Sequence, residues 1–341
     1  MSVRVEADKG GDKGCDEGAQ LSIPRHAEES ARSDEMMNMK LKVWIGVLLG
    51  LALCHPALAK LNVVATTADL GAIAREIGGE YIELVTLAKP TEDPHFVDAK
   101  PSLILKLNRA DVLIEGGAEL EIGWLPRLLN ESRNPKLAAG APGHVVCSEG
   151  VPLKEIPATL DRSRGDIHAA GNPHYAVDPV NAKIIAQNIA RAFGVLDGKS
   201  AEAYQANLKR FTETLEAKLA AWQKQLAPFK GQQVAAYHNS WLYFGDRFGL
   251  KIDVFLEPKP GVPPTPRHLA DVILKMNEDS VRAVLVDPYL DRRTAETVAA
   301  RTGAKVIEVT HFPGGVKGTE GGYIALLDYL VTAVAGALAG K

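Results

Sequence analysis

Residues 199–228 read KSAEAYQANLKRFTETLEAKLAAWQKQLAP. Apolar side chains fall at Leu208, Phe211, Leu215, Leu219, Trp222 and Leu226, in steps of three and four, with no glycine or proline between them. That is the period of one face of an α-helix. At 1.5 Å per residue the segment makes a rod of roughly 45 Å, long enough to run along two lobes and tie them together. An amphipathic helix of a single domain, or a coiled-coil segment, has the same period, so the choice rests on what flanks it.

Both flanks alternate strand and helix. Ahead of the rod, residues 61–66 form a β-rich run, and Leu70, Ile73, Ala74 and Ile77 fall at helical spacing before Gly78-Gly79 stops the helix. Strands follow at 81–87, 110–115 and around Val145-Val146, with helices from 102 and 124 between them. Asp178-Pro179 reads as an N-cap with proline at the first helical position. Behind the rod the pattern repeats, with strands at 233–237, 251–256, 281–286 and 305–309. Helices are expected at 241–248, from Thr265-Pro266 to Met276, at 294–302 and at 323–338. Such alternation gives mostly parallel sheets covered by helices. The fold class is therefore α/β: an N-terminal lobe over 60–196, a linking helix over 197–229 and a C-terminal lobe over 230–341. Each lobe carries a mostly parallel sheet flanked by helices.

Four histidines share one setting. His95 follows the corner Asp93-Pro94, where proline fixes its own φ and holds the preceding residue extended. His174 follows Asn172-Pro173, His238 follows the strand ending Ala236-Tyr237, and His311 follows Val309-Thr310. In parallel α/β folds the loops at the carboxyl ends of strands meet in one crevice. Four imidazoles arriving there suit a borderline-soft cation such as Zn2+. A lone histidine is ordinarily a surface or hydrogen-bonded residue; the repetition of one context raises the metal reading. A shell filled by four protein ligands holds a metal, whereas a catalytic zinc keeps a position for water, so the count favours carriage over turnover. The sequence has no Gly-x-Ser-x-Gly, no His-Glu-x-x-His and no P-loop. Gly314-Gly315-Val316-Lys317-Gly318 lacks the Walker spacing and reads as a glycine-shaped loop beside the cleft.

The rest of the chain sets the context. Its 341 residues carry a formal charge of −3, which gives no reason to expect nucleic acid as a partner. Residues 1–38 are polar and aperiodic, and read as a disordered or non-native extension ahead of initiator Met36, Met37 or Met39. Lys40 and Lys42, the apolar run 43–53 and Ala57-Leu58-Ala59 then make a signal peptide over 39–59, cut after Ala59 and too short to span a membrane. A lipid-anchored form cut before Cys54 is disfavoured by the bulky Leu53. The mature chain keeps Cys147 alone, so no internal disulfide is possible; the thiol reads as a small buried hydrophobe rather than a ligand. The aperiodic stretch 161–173 reads as a mobile loop, and its His168 as a solvated residue or an auxiliary metal collector.

Taken together, Asp93-Pro94-His95 with Lys100-Pro101-Ser102, Leu107, Ala110-Asp111, Gly116 to Trp124, Asn172-Pro173-His174 with Asp178-Pro179, His238 with Tyr243-Phe244 and Phe248-Gly249-Leu250, and the glycines before Tyr323 resemble the solute-binding receptors of zinc and manganese ABC importers. The resemblance covers nearly all of 60–341. It implies two α/β lobes on one backbone helix, metal between them, a monomer in the periplasm, and delivery to a membrane permease with its cytoplasmic ATPase. It implies no enzymatic activity. Carried over residue by residue, His95 and His174 are the N-lobe ligands and His238 the first C-lobe ligand. Manganese carriers of this family commonly have a carboxylate at the position of 238, so histidine there points to Zn2+ over Mn2+ or Fe2+. The family often places an aspartate in the loop after the last strand; this chain offers His311 instead, with Glu257, Asp287, Glu320 or water as the other ways to complete the shell. Three rival readings remain: a receptor for manganese or iron(II), a secreted zinc hydrolase with Glu257 or Asp287 as its base, and an adhesin that uses metal only for stability.

Overall fold

The computed structural model describes residues 60–159, 165 and 168–340, together with 36, 37, 39 and 42. Most of the expected leader, its cleavage point and part of the 161–173 loop lie outside the described residues. Among the described residues no helix is long and apolar enough to cross a membrane.

The first sheet is built from β1 (Leu61–Ala65), β2 (Ile82–Thr86), β3 (Val112–Glu115) and β4 (His144–Val146), in the order β2-β1-β3-β4 with every pair parallel. The second repeats that plan with β5 (Gln233–Ala236), β6 (Lys251–Phe255), β7 (Ala283–Val286) and β8 (Lys305–Glu308), in the order β6-β5-β7-β8. In each sheet the chain leaves the first strand to one side and then crosses to the other, which opens a crevice outside the carboxyl ends. The two-lobed parallel α/β architecture read from the sequence is the one observed.

Helices α1 (Ala68–Gly78), α2 (Pro101–Arg109) and α3 (Leu125–Ser132) follow the first three strands, and α4 (Pro179–Leu196) and α5 (Ala201–Leu226) run between the sheets. The latter has 26 residues, about 39 Å at the usual rise. Its Phe211, Leu215, Trp222 and Leu226 are buried in one apolar cluster that also contains Val63, Ile114, Ile185 and Phe193 from the first half and Val234, Phe244, Leu285 and Leu330 from the second. Strand period sorts the remaining side chains. Val64 and Leu113 point to the outer face of the first sheet, and Ala235, Val284 and Val286 to that of the second, each face with its own smaller cluster. Strands buried on both faces read as unbroken apolar runs, as AVLV in β7 does.

A second set of contacts joins the segment before α4 to the start of the second half. Asp178 caps α4 by accepting from the Val180 amide at 2.8 Å. It also receives Arg247 of α6 (Leu242–Phe248) in a two-bond pair, 2.7 Å from Nε and 2.8 Å from Nη2. The Tyr243 hydroxyl donates to the Asn172 carbonyl at 2.8 Å and accepts from the Lys154 amide at 2.9 Å, while the Lys154 ammonium pairs with Asp246. These bonds gather on one side of the crevice, against the residues that carry His174 and His238.

Candidate metal centre

His95 stands on the loop after β2. The Asp93 carboxylate accepts both the His95 amide and its Nδ1–H, each at 2.9 Å, and the Trp124 indole pins the corner by donating to the Pro94 carbonyl at 2.9 Å. Burial works to raise the Asp93 carboxyl, but the His95 bonds and charge outweigh it and hold it below the usual range. With Nδ1–H given to a carboxylate, Nε2 is the ring atom left to face a ligand, and it is buried with no protein partner.

His174 follows a turn in which the Asn172 side-chain oxygen accepts the His174 amide at 3.0 Å. Its Nε2 is likewise buried and unpartnered. Burial first, and then the neighbouring imidazoles, push His174 well below the ordinary imidazole range, so the ring is neutral and able to donate a lone pair. His238 follows β5 and bonds through Nδ1 to the Glu257 carboxylate at 2.7 Å; the same oxygen accepts the Gly261 amide at 3.1 Å.

Ring centroids of His95 and His174 are 5.1 Å apart, those of His95 and His238 5.8 Å, and those of His174 and His238 5.4 Å. One ring nitrogen from each lies within 4.8 Å of the others. Tetrahedral zinc with bonds of 2.0–2.1 Å needs its nitrogens roughly 3.4 Å apart, so a small contraction of this group gives three ligands.

The structure brings these three together and places His311 beside them. The His311 centroid is 5.3 Å from that of His174, and its ring lies against Trp241 at 4.1 Å. Its Nδ1 donates to Asp287 at 2.9 Å and its Nε2 to the Ser240 carbonyl at 3.1 Å. A ring that donates from both nitrogens is an imidazolium. Burial opposes that charge, but the Asp287 carboxylate and the Ser240 bond overcome it and raise the pKa. The loop beyond is drawn in tightly: a Cβ on Gly315 would stand 2.7 Å from the Pro90 carbonyl and closer still to Thr310, which is why the glycine-rich stretch lies where it does.

The other sequence candidates separate cleanly. Cys147 is fully buried in the central core, where burial and nearby carboxylates drive its thiol pKa well up. Glu320 is exposed and accepts the Gly318 amide. His168 lies 5.2 Å from the His95 ring and lines a cavity of about 540 Å³ together with His174 and His238. Sequence reasoning missed the role of the carboxylates. Asp93, Glu257 and Asp287 each hold the Nδ1 of one histidine, the orienting partner usual for a metal-ligating imidazole. All three are an acid directly before proline (Asp93-Pro94, Glu257-Pro258, Asp287-Pro288), and that signal was readable. Removing one such partner ordinarily costs 10- to 100-fold in metal affinity. We expect that loss for Glu257→Ala in a chelator-competition titration, with the apo fold intact by circular dichroism.

Residues 63–337 match the family described as zinc-uptake complex component A, periplasmic. The chain belongs to this family. Its members are metal-binding substrate-binding proteins of ABC transporters. Among relatives, the metal ABC transporter substrate-binding lipoprotein ScbA of Streptococcus cristatus is 26% identical over 285 residues, 81% of this chain and 88% of that protein. A manganese ABC transporter substrate-binding lipoprotein of Streptococcus pneumoniae is 26% identical over 271 residues, 76% and 84%. The iron-binding protein YfeA of Yersinia pestis is 26% identical over 284 residues, 81% and 86%. A crystal structure of ZnuA superposes with TM-score 0.69 at 22% identity, covering 82% of this chain and 99% of that one. A manganese-bound periplasmic metal-binding protein from Candidatus Liberibacter asiaticus gives 0.68 at 19%, covering 81% and 98%. These two likenesses establish the shared fold. Relatives named for manganese and for iron leave the metal of this zinc-uptake family member to be argued from its own donors.

Proposed function

We propose that this zinc-uptake family member captures Zn2+ outside the cytoplasmic membrane and delivers it to a membrane permease driven by a cytoplasmic ATPase, acting as a monomeric receptor and not as an enzyme. The observation that carries the reading is the convergence of His95, His174 and His238, with unpartnered buried Nε2 atoms on the first two. An all-imidazole donor set matches zinc better than manganese, which prefers oxygen. His311 supplies the fourth ligand. Its Nδ1 is held by a carboxylate as in His95 and His238, so Nε2 is its metal-facing atom, resting on the Ser240 carbonyl until metal arrives. Ligation then exchanges the Ser240 bond and the Nε2 proton for the metal. Against hydrolysis, Glu257 and Asp287, the two candidate bases, are each bonded to a histidine. The bonds between Asp178 and Arg247 and around Tyr243 favour small shifts of ligand loops over a wide hinge. By the same reading the N-terminal lobe is 60–196 and the C-terminal lobe 230–341, with export by a signal peptide cut after Ala59.

Two measurements test this. Competition among Zn2+, Mn2+ and Fe2+ at equal free concentrations is expected to load zinc; preferential loading of manganese overturns the metal assignment. Protons compete with metal for imidazole, and the raised His311 pKa extends its protonated range above the ordinary value near 6.5. Zinc affinity therefore begins to fall above that pH as the solution is acidified, and His311→Ala, though weaker overall, shows a shallower pH dependence. Equal pH slopes in the two proteins remove His311 from the shell.

A further inference from the structure

Glu155 sits on the segment between β4 and α4, with its side chain at the crevice. One of its oxygens, Oε2, accepts two amide N–H groups: Asn172 Nδ2 at 3.0 Å and Asn239 Nδ2 at 2.9 Å. Asn172 and Asn239 each stand next to a metal-ligand candidate. The Asn172 side-chain oxygen accepts the His174 amide at 3.0 Å, which leaves its NH2 group to face Glu155 and the Asn239 carbonyl, the latter also at 3.0 Å. Asn239 directly follows His238. The result is a closed set of bonds: His174 amide to Asn172, Asn172 to the Asn239 backbone, and both side-chain amides to one carboxylate oxygen. Asn239 Oδ1 is left buried without a partner, but a carboxylate can only accept, so the amide nitrogens are the atoms that face Glu155.

The backbone adds an independent sign. Glu155 has φ +53°, the left-handed region that residues with a Cβ adopt only at a cost. Strain of this kind persists where surroundings hold it in place, and it gathers at ligand clamps. Here the holding bonds are visible. Preceding Lys154 receives the Asn172 amide on its carbonyl at 2.8 Å, and gives its own amide to Tyr243 at 2.9 Å. The Glu155 residue is nonetheless exposed, so its carboxylate contributes little to folding; an exposed acceptor exchanges a protein bond for a water bond at small net cost.

We infer that Glu155 is a positioning residue for the metal, which sets His174 and His238 at a fixed spacing across the crevice before any ion arrives. The inference rests on the reading of those two histidines as ligands. On this account His174 and His238 form a preformed pair, and His95 and His311 close on the ion afterwards. Glu155 lies outside the group of side chains whose donor atoms converge within 4.8 Å, so it acts on the metal through Asn172 and Asn239. Its effect lies in how long the metal stays, since a pair held at the right spacing loses less freedom on binding.

The test compares the full chain with Glu155→Ala, Glu155→Gln, Asn239→Ala and the Glu155→Ala/Asn239→Ala double variant, using His238→Ala as reference. Zinc release into excess chelator and thermal unfolding with and without zinc are measured on each. Glu155→Ala is expected to release zinc roughly tenfold faster or more, with apo Tm unchanged within about 2 °C and a smaller Tm rise on adding zinc. Glu155→Gln keeps a carbonyl oxygen that accepts both amides and stays near wild type. The double variant is no faster than Glu155→Ala alone, because both act through the same bonds. Wild-type release from Glu155→Ala, or an apo Tm that falls in step with the faster release, overturns the inference. If wild type and His238→Ala hold zinc alike, the metal site itself is wrong. If His238→Ala loses zinc while Glu155→Ala behaves as wild type, only the positioning role is.

Discussion

His238→Ala is expected to lower zinc affinity by roughly 100- to 1000-fold while leaving the apo protein folded. The size follows from dividing the binding free energy of a four-ligand protein zinc site, about 10–16 kcal/mol, over its ligands, which gives about 2.5–4 kcal/mol for each. His238 carries more than its own donor atom. Its Nδ1 occupies the Glu257 carboxylate, so truncation also leaves an acid beside the site without its partner. His95→Ala acts in the same way through Asp93. His268 offers the control, since its ring bonds the Phe255 carbonyl at 3.2 Å and lies outside the three-histidine group. Isothermal titration against a competing chelator reads the difference. Equal affinities for His238→Ala and His268→Ala would remove residue 238 from the shell and with it the receptor reading of this crevice.

The frame was legible because burial imposes a period. Phe211, Leu215, Trp222 and Leu226 recur at helical steps and are the residues that α5 buries, while apolar runs such as 283–286 mark strands covered on both faces. Leu208 and Leu219, on the same expected stripe, are only partly buried; one helix packed along two halves cannot bury a whole stripe against either. His95, His174 and His238 stood out because proline corners and strand ends aim side chains at one place. The carboxylates carried a readable mark, an acid before proline, but for two of them local sequence does not say which ring they meet: Glu257 reaches His238 across 19 positions and Asp287 reaches His311 across 24. The same holds for Arg247 and Asp178, 69 positions apart. Asp178 read as a helix cap, and it is one, but its second role appears only once two separate segments are packed together. His168 comes from a stretch without period, so only coordinates place it near His95.

Asp287→Ala should be the most damaging change to the fold around the site, costing about 3 kcal/mol, the lower end of the range for breaking a buried pair. Asp287 is 1% exposed and His311 4%, so truncating the acid leaves a buried imidazolium facing only the Ser240 carbonyl. The ring then sheds the Nδ1 proton, keeps Nε2–H on the Ser240 carbonyl, and is left with a buried Nδ1 that has lost its partner. The sign of the pH dependence follows from the raised His311 pKa. A group that binds its proton more tightly in the folded state contributes stability that is complete below its unfolded value, near 6.5, and is lost as pH rises through the folded value. The stability gap between wild type and Asp287→Ala, measured by denaturant titration of the apo proteins, is therefore widest in mild acid and narrows as the solution becomes alkaline. Combining Asp287→Ala with His311→Phe should recover part of the loss, because the phenyl ring keeps the contact with Trp241 and no buried charge is left alone. A gap that stays constant with pH, or a double variant as unstable as the two single losses added together, would mean that His311 is held by its packing and not by the charge of Asp287.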